Sequence, residues 1–255
     1  MFPLRDENPT ELIPWVTYLL IAANVGVWLL VQGMGQGSAF LESLCAFGSI
    51  PGEITGSLAE GERVPLGPDA TCRVGGLGWE TIFTSMFMHG GWFHLIGNMW
   101  FLWVFGNNIE DSMGHARYLV FYLLTGILAS AAHVATAPAS GVPTVGASGA
   151  ISGIMGAYLV LYPRVRIQTL FIIVIFLRVF RIPAWAMLAY WFALQLYLGW
   201  GTAGAQGGGV AFWAHIGGFV AGLVLVKPFE RKTLVEAKRA GVRLSRQEVR
   251  DIGWF

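Results

Sequence analysis

Four polar residues interrupt long apolar stretches of this 255-residue sequence, and their side chains could together support acyl transfer. Ser148 lies in Gly-Ala-Ser-Gly and His215 in Ala-His-Ile-Gly-Gly. A histidine within hydrogen-bond reach of a serine can take its proton and later protonate a leaving amine. His94 and Asn98 are four residues apart, so a helix would project both from one face. There they could donate hydrogen bonds to an oxyanion, together with the backbone N–H of Ser148.

Ser148 and His215 each have a structural explanation as well. Serine is favoured at the N-cap of a helix, where its side chain accepts a backbone hydrogen bond. A histidine in an apolar helix can simply form a hydrogen bond to a neighbouring helix. Each alternative explains one residue alone. They are less probable explanations when Ser148 and His215 are considered together with His94 and Asn98.

Glycine spacing indicates how Ser148 and His215 could meet. Gly218 and Gly222 follow His215 at helical spacing, so they share its face. Three further glycines line one side of the segment after Ser148, namely Gly149, Gly153 and Gly156. Small residues on facing helices allow close backbone contact in membranes. Such a contact would bring His215 to Ser148.

The apolar segments lack the residues that other membrane enzymes and carriers require. None of them contains Asp or Glu, which argues against an aspartyl protease, a proton-coupled carrier and a carboxylate-lined cation path. The sequence His-Glu-x-x-His is absent, and the five histidines lack zinc-ligand spacing. These absences argue against an intramembrane metalloprotease. Without a membrane carboxylate to orient His215, the predicted catalytic unit is a Ser-His dyad.

The elements that must position these residues are membrane-spanning helices. Hydrophobic residues make up 55% of the sequence and charged residues only 12%, so lipid is the expected solvent. Apolar stretches of about 17 to 25 residues are long enough to cross a bilayer. Six such stretches are present, at 14–31, 82–105, 118–136, 146–162, 183–200 and 210–226. The predicted fold is an all-α polytopic membrane protein.

The sequence divides around a six-span membrane domain at 14–226. Residues 1–13 lack the basic region and cleavage site of a secretory signal, so the first span is expected to be permanent. A long polar loop, 33–80, joins the first two spans. The apolar segment 170–177 is too short to cross and has arginines on both sides, which indicates an interfacial position between spans four and five. The charged tail, 227–255, is expected to be solvated and partly helical.

Cationic residues predict the orientation of the chain. Of the 16 Lys and Arg, only Arg63 and Arg73 lie outside the segments that share a side with the two termini. The positive-inside rule therefore places both termini in the cytoplasm and the loop 33–80 outside. The expected location is the bacterial inner membrane. A formal net charge of +1 gives no indication of nucleic-acid binding.

Cys45 and Cys72 are the only cysteines, and both lie in the loop 33–80. On the oxidising side of a bacterial inner membrane they could form a disulfide. The segment between them is rich in Gly and Pro and weakly apolar, so a bridge would stiffen a loop that buries little surface of its own. Two free thiols are the alternative.

The motifs described above resemble those of the rhomboid family in type and order. The family pattern has His-x-x-x-Asn in the second core span, Gly-x-Ser-Gly in the fourth and Ala-His-x-x-Gly-x-x-x-Gly in the sixth. The resemblance extends over about 14–226 and includes Ile-Glu-x-x-x-Gly at 109–114. One departure is Glu80, since many relatives have Arg after a tryptophan in this loop.

This resemblance implies a six-helix intramembrane serine protease that cleaves single-span membrane proteins within or beside their helices, without metal or cofactor. Ser148 would be the nucleophile and His215 the general base and acid. His94 and Asn98 would be the oxyanion donors, and His89 would line the cavity. No oligomeric state is implied.

Two other functions fit parts of the sequence. A non-proteolytic rhomboid-like scaffold could bind transmembrane clients, although it would not need Ser148 and His215. A small-solute channel or carrier could use a polar site at Ser148, although its polar groups should then extend across the membrane. The glycine-rich segment 199–209 could be a mobile cap over the site or an ordinary connector.

Overall fold

Helices make up most of the structure, a computed structural model that describes residues 2–66, 70–173, 176–201, 211–242, 244 and 248–249. Its helices are α1 (Trp15–Leu30), α2 (Gly37–Phe47), α3 (Pro51–Ile54), α4 (Thr81–Thr84), α5 (Trp92–Met113), α6 (His115–Thr136), α7 (Ser148–Leu161), α8 (Ala184–Gly201), α9 (Phe212–Phe229) and α10 (Lys232–Arg239). Its strands are β1 (Phe2–Asp6), β2 (Arg63–Pro65), β3 (Thr71–Arg73), β4 (Arg166–Ile173) and β5 (Phe176–Pro183).

The helical class of the prediction is confirmed, and each of the six predicted spans contains a described helix. Among the described residues, α6 and α9 are long and apolar enough to cross a membrane, judged by length and composition. The helices α1 and α7 are apolar but shorter. The count of six crossings therefore stays a prediction.

The all-α prediction is incomplete, because two small antiparallel sheets are also present. One has the strand order β1-β4-β5, and the other consists of β2 and β3. The described part of the predicted interfacial segment 170–177 lies in the β4–β5 hairpin, where Leu170 pairs with Val179. These strands are rich in β-branched and aromatic residues, which favour sheets. A short apolar run does not distinguish strand from helix by pattern alone, and β1 joins the hairpin from the N-terminus.

The second predicted span, 82–105, is not one continuous helix. The helix α4 and a following 3-10 turn end before Met88, which is extended, and α5 begins only at Trp92. Two glycines at 90–91 occupy the break, and glycine is a poor helix former. The break places the start of α5 just before His94.

The close glycine contact predicted between the fourth and sixth spans is confirmed. The helices α7 and α9 pack so tightly that a Cβ added to Gly218 would overlap the carbonyl oxygen of Gly149. A Cβ on Gly222 would overlap the carbonyl oxygen of Gly153 in the same way. Larger side chains would therefore separate the two helices. This contact sets the distance between the starts of α7 and α9, where the predicted serine and histidine lie.

The described part of the long loop 33–80 is folded. The helix α2, the short helix α3 and the β2–β3 hairpin carry a small core of buried apolar residues that includes Ile50 and Val64. A disulfide between Cys45 and Cys72 joins α2 to β3. The disulfide predicted from the sequence is therefore confirmed.

Hydrogen bonds gather the C-terminal ends of α5, α7 and α9, and we call this part of the bundle the tail end. The backbone N–H of Arg231 donates to the carbonyl oxygen of Ser112, and Nε of Arg239 donates to that of Leu161. The opposite end, where α7 begins at Ser148, is called the serine end. The helix α10 lies in the tail 227–255, which confirms that this region is partly helical.

Candidate active site

Ser148 is the first residue of α7. Its Oγ lies 2.8 Å from Nε2 of His215, which is a hydrogen-bond distance. The N-cap residue of the helix is Ala147, and no side chain caps it. The structure therefore does not use the Ser148 hydroxyl as a helix cap but pairs it with the histidine predicted as its base.

The helix α9 brings His215 to Ser148 because it begins at Phe212 and runs tightly against α7. The backbone N–H of His215 donates to the carbonyl oxygen of Ala211, which places the residue in the first turn of α9. Both Ser148 and His215 are half-buried. Both residues lie at the start of their helices, α7 and α9, which pack against each other.

The second ring nitrogen of His215 has a partner that the sequence analysis missed. Nδ1 lies 2.8 Å from Oε1 of Gln195 in α8. A carbonyl oxygen can only accept, so with this geometry Nδ1 carries the proton and Nε2 is left to accept the hydroxyl proton of Ser148. Gln195 is the single carboxamide in the predicted span 183–200, and that isolation was the signal available in the sequence.

Gly146 lies where the chain before Ser148 approaches α5. Its φ is +129°, a conformation that residues with a side chain rarely adopt. A Cβ there would lie 2.7 Å from Nε2 of His94 and 3.5 Å from Nδ2 of Asn98. Both side chains predicted to bind an oxyanion therefore lie beside the residue two positions before Ser148.

His94 and Asn98 each present a hydrogen-bond donor to this region. Nδ1 of His94 accepts from the backbone N–H of Gly90 at 3.2 Å, so in the neutral ring the proton is on Nε2. Nδ2 of Asn98 is buried and has no partner among the described residues. A buried donor without a partner is costly, and a substrate oxygen would satisfy it. The pair can thus receive an oxygen that gains negative charge.

His89 lies next to His94, with 5.2 Å between the ring centroids. Its ring is fully buried, and within the described part of the chain neither ring nitrogen has a partner. The Gln32 carboxamide holds the His89 backbone, since it accepts from the N–H and donates to the carbonyl oxygen at 2.8 Å each. That His89 lines a cavity stays a prediction.

The predicted glycine-rich cap, 199–209, lies mostly outside the described residues, which stop at Gly201 and resume at Ala211. Of its described residues, Gly199 is close to α9, because a Cβ there would lie 3.2 Å from the Cβ of Phe212. A capping role for this segment stays a prediction.

Comparison with known proteins places these residues in a family context. The family described as Rhomboid domain matches residues 77–231, which include α4 to α9 and all four predicted site residues. The chain is 34% identical over 146 residues to the rhomboid protease GluP of Bacillus subtilis (strain 168), covering 57% of this chain and 24% of the relative. It is 31% identical over 150 residues to the mitochondrial Rhomboid protein 1 of Saccharomyces cerevisiae, covering 56% of this chain and 40% of the relative.

A third relative extends the comparison to plants. The chain is 27% identical over 175 residues to the mitochondrial RHOMBOID-like protein 6 of Arabidopsis thaliana, covering 61% of this chain and 54% of the relative. The matched segments thus span between 24% and 54% of the three relatives' own lengths. Since the Rhomboid domain match covers more than half of the chain, the protein belongs to the rhomboid family of integral membrane proteins.

Proposed function

We propose that this protein is an intramembrane serine protease in which Ser148 and His215 form a catalytic dyad. The observation that carries the proposal is the 2.8 Å distance between Ser148 Oγ and His215 Nε2, inside the segment matched by the Rhomboid domain. Two Bacillus subtilis relatives are named a rhomboid protease and a putative rhomboid protease. A serine paired with a neutral imidazole is the arrangement that nucleophilic catalysis requires.

In the proposed reaction, Ser148 Oγ attacks the carbonyl carbon of the scissile peptide bond while His215 Nε2 takes the hydroxyl proton. The tetrahedral intermediate collapses, the C–N bond breaks, and the imidazolium gives its proton to the leaving amine. An acyl-enzyme on Ser148 remains. Water then attacks the ester carbonyl carbon while His215 takes the water proton. The C–O bond to Ser148 breaks, His215 returns the proton to Ser148 Oγ, and the carboxyl product leaves.

The negative charge of the tetrahedral intermediate needs donors on the carbonyl oxygen. Nε2 of His94, Nδ2 of Asn98 and the backbone N–H of Ser148 are the proposed set. The two side chains border Gly146, and the Ser148 N–H is free of an intrahelical acceptor because it belongs to the first turn of α7. This geometry supports an oxyanion site at the start of α7.

The proposed topology has six crossings within 14–226, cytoplasmic segments at 1–13 and 227–255, and the loop 33–80 outside. The disulfide in that loop supports this orientation, because disulfides persist on the oxidising side of a membrane. The proposed location is the bacterial inner membrane, and the proposed substrates are single-span membrane proteins in the same bilayer. Labelling of intact cells that carry Ala240→Cys with a membrane-impermeant thiol reagent tests the orientation. Ready labelling from outside would contradict it.

The proposed chemistry is tested by covalent capture with a fluorophosphonate, which reacts with an activated serine. The full-length protein in proteoliposomes should be modified at Ser148 and should cleave a single-span substrate. Ser148→Ala and His215→Ala should each lose both reactions. Ser152→Ala is the matched control, because Ser152 lies one turn further along α7 and its hydroxyl is bound to the Ser148 carbonyl oxygen.

Capture that survives Ser148→Ala would refute the assignment of the nucleophile. Wild-type protein that binds transmembrane clients but shows neither capture nor cleavage would favour the non-proteolytic scaffold instead.

A further inference from the structure

Gln195 is the polar residue on an otherwise apolar stretch of α8, and its side chain faces the bundle interior. It is 7% exposed, whereas the neighbouring Leu194 and Leu196 are 37% and 43% exposed. The Gln195 Oε1 atom lies 2.8 Å from Nδ1 of His215. A buried carboxamide in an apolar helix is costly to place and therefore a candidate for function.

We propose that Gln195 is a positioning residue for His215, an inference that rests on the proposed protease function. A neutral imidazole has one N–H and one lone pair, and the partner of one nitrogen decides the role of the other. An acceptor at Nδ1 keeps the proton there, so Nε2 presents its lone pair to the Ser148 hydroxyl. The opposite tautomer would place an N–H against that hydroxyl and could not take its proton.

The same oxygen also serves the step after proton transfer. When Nε2 has taken the Ser148 proton, the ring carries a positive charge, and Oε1 of Gln195 continues to accept the Nδ1 proton. A carboxamide performs this task without adding a full charge to an apolar region, where an isolated carboxylate would be expensive. The Gln195 carboxamide can therefore hold His215 in one tautomer, although the proposed dyad has no carboxylate within the membrane.

Aromatic packing fixes α8 at the distance that this hydrogen bond needs. The Phe192 ring stacks on Phe219 of α9 at 4.6 Å, and the Trp191 ring centroid lies 6.0 Å from that of His215. Gln195 lies one helical turn after Trp191 on the same face of α8, and its side chain reaches Nδ1 of the His215 ring. The contact is thus part of a packed α8–α9 interface.

A purely structural role is the competing explanation, because interhelical hydrogen bonds also stabilise membrane proteins. The two roles differ in what a variant loses. Loss of structural support would lower thermal stability and leave the turnover of the folded protein unchanged. Loss of positioning would lower the kcat of the folded protein while KM is retained.

The test uses the full-length protein in proteoliposomes, a single-span peptide substrate and a fluorophosphonate. Gln195→Met keeps the length of the side chain but removes the acceptor. Gln195→Glu keeps an acceptor oxygen whether its carboxyl group is neutral or ionised. Leu196→Met, at an exposed neighbouring position, is the matched control. We expect Gln195→Met to lower kcat and the rate of covalent capture by about ten- to a hundredfold, the effect of losing one hydrogen bond to a charged group. KM should stay at the control value, the midpoint of thermal unfolding should fall only modestly because one buried N–H loses its partner, and Gln195→Glu should recover most of kcat.

Three outcomes would overturn the positioning role. Equal kcat for Gln195→Met and Leu196→Met would show that the acceptor is dispensable, and the protease proposal would stand without it. A fall in thermal stability with unchanged kcat would identify structural support. Loss of kcat in Gln195→Met that Gln195→Glu does not recover would show that an acceptor at Nδ1 is not what matters. A wild-type protein that neither reacts with the fluorophosphonate nor cleaves would instead overturn the protease proposal itself, and this inference with it.

Discussion

Buried polar side chains gather at both ends of the bundle, but those that define each end differ in their hydrogen bonding. At the tail end, each carboxylate oxygen of Glu110 and Asp111 has at least one partner, although Nη2 of Arg231 has none among the described residues. At the serine end, the buried Nδ2 of Asn98 and both ring nitrogens of His89 have none among the described residues. Buried polar groups that have hydrogen-bond partners make a structure more rigid. Those without partners lower its stability, and a ligand that forms the missing hydrogen bond can restore it.

The tail-end carboxylates tie distant chain segments together. Glu110 accepts from the backbone N–H groups of Val16 and Thr17, and so it satisfies the first turn of α1. Asp111 accepts from the N–H of Leu12 and forms an ion pair with Lys238 of α10. The N-terminal segment, α5 and the tail helix thus share one anchor. The comparison predicts that changes at the serine end alter catalysis and that changes at the tail end alter stability.

The largest expected effect is the loss of the proposed dyad. Ser148→Ala and His215→Ala should each reduce cleavage at least about a thousandfold, because a nucleophile and its base act as one unit. The double variant should be no slower than either single variant. Single-turnover cleavage in proteoliposomes measures this, with thermal unfolding as the control for folding. A double variant much slower than both would contradict a shared role.

Asn98→Ala should have the next largest effect. Removing one oxyanion donor costs about 2.7 to 4 kcal/mol in other enzymes, which corresponds to about a hundred- to a thousandfold in kcat. Cleavage should remain measurable because His94 and the Ser148 N–H are retained. Full activity in the variant would remove Asn98 from the proposed oxyanion site.

Glu110→Ala should show the converse behaviour at the tail end. It strips the acceptor from two backbone N–H groups of α1 and from the Thr17 hydroxyl, so we expect a loss of about 2 to 4 kcal/mol of stability. The kcat of the protein that remains folded should stay within about threefold of wild type. Thermal unfolding and active-site titration with a fluorophosphonate separate the two quantities. Glu42→Ala, at an exposed carboxylate in α2, is the control.

A result in which Glu110→Ala lowers kcat at full stability would break the comparison. It would mean that the anchor of α1 and α5 is coupled to the Ser148 site.

The smallest expected effect concerns pH. Burial raises the pKa of Asp6, in β1 outside the predicted spans, from 3.8 to about 6, although hydrogen bonding from Tyr158 opposes the shift. The folded protein therefore binds the Asp6 proton more tightly than the unfolded chain does. As pH rises from about 4 to 6, this side chain makes the free energy of unfolding smaller, and above that range its contribution is constant.

Asp6→Asn should remove this dependence. Between pH 7 and pH 5, the wild type should gain about 1 kcal/mol of stability relative to Asp6→Asn. Thermal unfolding at the two pH values measures the difference, and Glu7→Gln, at the residue that follows β1, is the control. Parallel stability curves for wild type and Asp6→Asn would show that the Asp6 environment does not favour the protonated form.

The serine end was more predictable from sequence than the tail end. The glycine contact between α7 and α9 was inferred from spacing along two helices, because helical periodicity determines which residues share a face. Gly218 and Gly222 could therefore be assigned to the face of His215 before their partners were known. The proximity of Ser148 and His215 followed from that contact.

The partners of Glu110 and Asp111 were not predictable in this way. The backbone N–H groups that they bind lie about a hundred residues away along the chain, and nothing in local periodicity encodes which N–H groups will meet a given carboxylate. The same applies to β1, which pairs with β4 across most of the chain. Strand pairing and buried ion pairs depend on the tertiary arrangement of the helices, which local sequence patterns do not determine.

The sequence by itself determined the helical membrane class, the motif residues Ser148, His215, His94 and Asn98, and the glycine faces, because each depends on residue type and on spacing within one helix. Only the tertiary structure decided that α5 begins after a break, that the segment after α7 is a hairpin, and that Gln195 accepts from His215. The reason is physical. A single carboxamide in an apolar helix has no periodic signature, and its partner is chosen by the packing of α8 on α9.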